Sequence, residues 1–240
     1  MTSSGLPTPA PRIHHQGPPP GILATIYTVL FCTGLYFVTV FSAKPYFPGP
    51  WEPASTIAAF FQVRPDAARL CAFFHFGAAI VLGLFTATVV NQMRFLGVRA
   101  AGVNIALFGG LATTFNMFVS AFTMWALAQH GIAQDTGVTA AFYYFGFAFG
   151  GVGFSVPLGL LMAGVSIPAI FMKLLPRWVT ILGIALGVVG ELSWLTMLFP
   201  KMVVLIPLTR FPGFVWLIAA GFLLPRTVAA GKGQPMVQSH

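Results

Sequence analysis

Residues 178–199 read WVTILGIALGVVGELSWLTMLF, an apolar run broken by a single carboxylate at Glu191. A helix needs about 20 mostly apolar residues to cross about 30 Å of hydrocarbon. This run is long enough, and Arg177 before it and Lys201 after it place charge at both ends. The same test applied outward along the chain finds further runs at about 22–43, 68–92, 101–128, 140–171 and 205–225. The reading is an all-α, polytopic integral membrane protein: a six-helix bundle over 22–226 with tails at 1–21 and 227–240. The fourth run is too long for one straight span. Gly153, Ser155 and Pro157 could break it, a kink at Pro157 is the simpler outcome, and Pro168 marks a second bend.

Composition agrees with the runs. The chain of 240 residues is 57% hydrophobic and only 7% charged, with a mean hydropathy of +0.86. A soluble domain carries roughly 25% charged residues, so this one cannot cover a soluble surface. That excludes a soluble enzyme, a disordered protein and a nucleic-acid partner; the lipid bilayer is the partner that composition implies. The first run is longer than the 7–15 residue core of a signal peptide and lacks its small-residue cleavage pair. Six prolines between Pro7 and Pro20 predict an extended, solvated tail over 1–21, with His14 and His15 solvated in it. The tail after Pro225 reads the same way. Cys32 and Cys71 both fall in apolar runs and read as small hydrophobes rather than a disulfide.

Six spans put both termini on one side. That side holds Arg12, Arg94, Arg99, Lys173, Arg177, Arg226 and Lys232 with no acid. The other holds Lys44, Arg64, Arg69, Lys201 and Arg210 against Glu52, Asp66 and Asp135. The positive-inside rule then predicts cytoplasmic termini. Trp125, Trp178 and Trp216 fit interfacial anchoring. In the long outer connection, the prolines from Pro45 to Pro53 exclude regular structure. Ser55 to Val63 reads as a short helix capped by Ser55 or Thr56. Pro65 and Asp66 mark the start of the next helix.

Ionisable and amide groups inside spans are the candidate functional residues, because each is costly in lipid. Glu191 lies eight residues before Phe199, about 12 Å below the end of its helix. Three readings stay open for it: a pair with Arg210, a protonated carboxyl bonded to a neighbouring helix, or a group that handles protons or substrate. His75, in Phe73-Phe74-His75-Phe76, reads as a satisfied core histidine, with a polar pair to Glu191 as the alternative. Asn116, with Asn104, Thr113, Thr114, Ser120 and Thr123, gives the third span a polar stripe that reads as interhelical hydrogen-bonding glue. Gly146/Gly150 and Gly183/Gly187 are small-xxx-small pairs for close helix contact. No HExxH, GxSxG, CxxC or phosphate-loop pattern occurs, so no catalytic site, metal or cofactor is assigned.

Three stretches carry a family resemblance: Ser55-Thr56-Ile57-Ala58-Ala59 through Arg69; the hairpin with Arg94 and Arg99; and Leu175-Pro176-Arg177-Trp178, followed by Pro212-Gly213. In these the chain resembles a six-pass bacterial membrane family without established activity, domain of unknown function 4386. The resemblance implies a multi-pass protein of the bacterial cytoplasmic membrane. It implies no activity. The expected function is a non-catalytic accessory or partner-binding bundle, with other membrane subunits as partners. The alternatives are a small-solute or proton-coupled transporter using Glu191, and a membrane enzyme or cofactor protein around His75.

Overall fold

The computed structural model describes residues 12–229. The described chain is almost wholly helical: α1 (Pro20–Tyr36), α2 (Ala54–Val63), α3 (Pro65–Phe95), α4 (Gly102–Leu127), α5 (Thr136–Gly150), α6 (Val152–Phe171), α7 (Arg177–Leu192) and α8 (Leu205–Leu223). Two three-residue strands, β1 (Arg12–His14) and β2 (Thr227–Ala229), pair antiparallel. Five helical segments are long and apolar enough to cross a membrane: Pro65–Phe95, Gly102–Leu127, Thr136–Phe171, Arg177–Met197 and Pro200–Leu223.

The first helix is shorter than its apolar run. It has 17 residues, about 25 Å at 1.5 Å per residue. Just beyond its end at Tyr36, a backbone carbonyl is taken from outside the helix. The Phe47 N–H donates to the Val38 carbonyl at 2.8 Å, docking the proline-rich connection where a further helical turn would lie.

Six helices close a ring: α1 packs between α8 and α3, α4 between α3 and α6, and α7 between α6 and α8. Outside the ring, α5 packs on α4 and on α2. The main core runs through the ring, from Ala24 and Tyr27 past Leu82, Phe85, Leu158 and Leu161 to Trp216 and Leu217. Trp216 is fully buried, not interfacial; its Nε1–H donates to Ser166 Oγ (3.2 Å) and the Val179 carbonyl (3.1 Å). The other four tryptophans are exposed on the outer surface.

Missing side chains set the helix spacing. A Cβ on Gly109 of α4 would lie 2.5 Å from the Pro157 carbonyl oxygen of α6. One on Gly164 of α6 would lie 2.6 Å from the Gly102 oxygen. The α4–α6 crossing is therefore a backbone-to-backbone contact that only glycine allows. Gly146 and Gly150 meet Thr123 and Ser120 of α4, and Gly187 meets Ala163 of α6.

The long fourth run is interrupted, but earlier than Gly153. The break is at Gly151 (φ −95°, ψ −96°), and both Pro157 and Pro168 lie inside α6. One helix start and one helix end also differ from expectation. Pro53 precedes α2 with no side-chain cap, and Ser55 and Thr56 sit inside the helix. The run 178–199 leaves α-geometry after Leu192 and continues as a 3-10 turn, Ser193–Met197. Pro65 and Asp66 do open α3, and Asp66 pairs with Arg69 at 2.8 Å.

The chain on either side of the bundle is more ordered than its prolines suggest. β1 pairs Arg12 with Ala229 and His14 with Thr227. The next residue, His15, is buried, not solvated. Its backbone N–H donates to the Arg226 carbonyl (2.8 Å), Asn91 Nδ2 donates to its Nε2 (3.0 Å), and Arg226 Nη2 reaches back to the Gly17 carbonyl (2.8 Å). Gln92, fully buried near the end of α3, donates to the carbonyls of Leu224 (3.0 Å) and Pro225 (2.8 Å). Both described ends thus lie on one face of the bundle. Residues 1–11 and 230–240, the remainder of the two expected tails, lie outside the described residues.

Candidate functional site

On the face away from the paired strands, α1, α3, α4, α5, α6 and α8 enclose a cavity of about 250 Å³. Its wall is largely apolar: Phe31 and Leu35 of α1, Met117 and Met124 of α4, Tyr143 and Phe147 of α5, and Phe154 of α6. Phe47 lies at its rim on the proline-rich connection. Tyr143 holds that connection in place, its hydroxyl donating to the Pro48 carbonyl at 2.6 Å.

Arg210 is the one charged side chain lining the cavity. Its Nη2 donates to the Gly150 carbonyl, an end carbonyl of α5 that the break at Gly151 leaves without a helical partner. The guanidinium therefore sits at the negative end of the α5 dipole. It also lies over two aromatic faces, 4.6 Å from the Phe154 centroid and 5.4 Å from that of Phe31, in cation–π range. Its Nε is buried with no hydrogen-bond partner.

His75 borders the same space, stacked on Phe31 with centroids 4.4 Å apart. Its Nε2 lies 3.2 Å from the Phe31 carbonyl, which can only accept, so Nε2 carries the proton in the assigned tautomer. Nδ1 then accepts from the Cys71 thiol at 3.6 Å. Histidine and cysteine are thus both satisfied locally, one turn apart on α3. Among the described residues they belong to no group of three or more metal-ligating side chains.

The expected residues separate. Glu191 is absent from the cavity wall and forms no pair with Arg210; among the described residues the only ion pair is Asp66–Arg69. The two are close along the chain packing, since Gly190 faces Thr209, where a Cβ would lie 3.2 Å from Thr209 Cγ2. Successive helical residues point about 100° apart. With Thr209 turned to α7, Arg210 is turned away from it. Glu191 sits at the last turn of α7, not two turns inside a helix, and its Oε1 is buried without a partner. No polar pair joins it to His75.

Asn116 has a structural assignment outside the cavity. Its Nδ2 donates to the Gly153 carbonyl. In an α-helix that carbonyl would receive the N–H of residue 157, which is a proline and has none. Ser120 Oγ crosses to the Gly146 carbonyl at 3.2 Å. Thr113, Thr114 and Thr123 instead bond back to their own helix, to Gly109, Gly110 and Val119. Asn104 accepts from Arg94 Nη2 of α3 at 2.9 Å, so the polar stripe of α4 is glue at Asn104, Asn116 and Ser120.

Sequence reasoning missed Cys71, Tyr143 and Gly150 as parts of the site. The i, i+4 spacing of Cys71 and His75 was the one available signal. Nothing local distinguishes Tyr143 or Gly150. Compared with known proteins, the chain matches no family model, no curated protein and no solved structure.

Proposed function

We propose that the chain is a six-pass membrane protein with cytoplasmic termini, a non-catalytic bundle that binds a small molecule in the Arg210 cavity. The bacterial cytoplasmic membrane is the proposed location. α1 would be the sixth span: it completes the helix ring, and Ile22, Ile26 and Val29 face outward on it. Phe73, Phe108, Phe115, Ile181 and Val215 give the neighbouring helices the same apolar exterior, which suits lipid. The basic residues on the strand-bearing face support the orientation.

The observation that carries the binding reading is the cavity itself. Protein interiors are packed to the density of organic crystals, and the α4–α6 crossing of this ring is closed by glycine-to-backbone contacts. Beside that crossing, a space of about 250 Å³ with a cation in its wall has a distinct chemical character. The wall, an apolar surface with few polar groups, is that of a ligand pocket. Native mass spectrometry of the protein in lipid nanodiscs tests this. A small molecule should be retained by the native chain and lost from Met124→Trp, which puts a larger ring into the cavity wall and leaves the Arg210 side chain in place. Retention of the same molecule by Met124→Trp would refute the reading. A reporter fused after His240 and active only outside the cell would refute the orientation.

A further inference from the structure

The geometry points to a small monocarboxylate as the occupant of this cavity, its head group on the Arg210 guanidinium and its apolar body against Phe31, Phe154 and Phe147. This assignment rests on the reading of the cavity as a ligand chamber and names the chemistry of what it holds. The charge of Arg210 is met only by partial charges, one backbone carbonyl and two ring faces. Its Nε remains buried without an acceptor. A planar guanidinium matches the planar fork of a carboxylate. No acidic side chain lines the cavity to repel one.

The charge count selects a monoanion. A phosphate monoester carries roughly −1.5 to −2 at neutral pH. Its second charge would meet no second cation here, only the negative faces of aromatic rings. The volume selects a small body. About 250 Å³ is below the range of drug-sized pockets. The assignment is therefore to a free small acid rather than to a long acyl chain. Benzoate has the size, charge and apolar body that the wall asks for.

Calorimetric titration of the nanodisc-embedded protein with benzoate, benzamide and phenyl phosphate tests the assignment. Benzoate should bind at least about tenfold more tightly than its neutral isostere benzamide, as a charge-assisted bidentate contact implies, and more tightly than phenyl phosphate. Arg210→Met should bring benzoate down to the benzamide level. Met124→Trp, which keeps the arginine, should abolish the binding of both and covers the case in which Arg210→Met does not fold. Equal affinities for benzoate and benzamide overturn the carboxylate assignment while leaving the chamber reading in place. Tighter binding of phenyl phosphate overturns it in favour of a dianion. Undiminished benzoate binding to Met124→Trp places the site elsewhere and overturns it as well.

Discussion

Pro157 sits inside α6 and removes the N–H that the Gly153 carbonyl would accept. Asn116 of α4 supplies the missing donor. Replacing it with leucine keeps the shape and deletes the donor, leaving a buried carbonyl unpaired. An unsatisfied buried acceptor costs about 1–3 kcal/mol, while interhelical hydrogen bonds in membranes average about 0.6 and reach about 1.7 kcal/mol. Asn116→Leu should therefore destabilise the bundle by about 1–2 kcal/mol. Pro157→Ala restores the backbone N–H to the same carbonyl, so in that background Asn116→Leu should cost less than about 0.5 kcal/mol. The coupling energy of the cycle would be about 1 kcal/mol. Reversible unfolding by dodecyl sulfate in mixed micelles, followed by circular dichroism, measures all four variants. Equal costs of Asn116→Leu in the two backgrounds would show that the amide does not stand in for the proline's missing donor.

Gly109→Ala pushes a methyl to 2.5 Å from the Pro157 oxygen and 2.6 Å from the Leu161 nitrogen, both backbone. It should cost about 1–3 kcal/mol by forcing α4 and α6 apart. Gly77→Ala, whose nearest neighbour would be a leucine methyl at 3.8 Å, should be neutral or stabilising by up to about 1 kcal/mol in the same unfolding assay. A third outcome concerns pH. Burial, and secondarily the Arg226 charge, push the pKa of His15 below its ordinary 6.5. The folded state therefore binds fewer protons than the unfolded one in that window. The stability of the strand clasp should be complete above about pH 6.5 and fall as the pH drops below it toward the lowered folded pKa. Corrected for the intrinsic pH dependence of amide exchange, protection at residues 13–14 and 227–228 should fall over that window, and His15→Gln should remove that loss.

Legibility followed the range of each interaction. Pro65 and Asp66 at the start of α3 were readable because helix starts depend on residues within one turn. The extent of α4 was readable because a long apolar run has few alternatives. The early end of α1 was not; just beyond it, the Val38 carbonyl is taken by Phe47 across a loop. Nor was the break at Gly151, ahead of the stretch Gly153, Ser155 and Pro157 where a break or a kink was expected, because the carbonyl it frees is met by Arg210 on a helix remote in sequence. Gln92 ties the end of α8 to α3 through the carbonyls of Leu224 and Pro225, partners more than 130 residues away along the chain. His14 and His15 looked alike, and only pairing of the two ends distinguishes the buried one.

The sequence by itself determined the solvent. With charged residues at 7% of the chain, burial in lipid is the only way to remove so much apolar surface from water, whatever the packing. It also picked out Arg210, His75, Asn116 and Glu191 as the costly polar groups. What each of them does was decided only by the tertiary structure. A helical side chain meets its partner according to its rotation about the helix axis, about 100° per residue. Thr209 and Arg210 are neighbours in sequence, yet one faces α7 and the other faces a cavity. That single step of rotation leaves Glu191 without its expected partner and gives the cavity its charge.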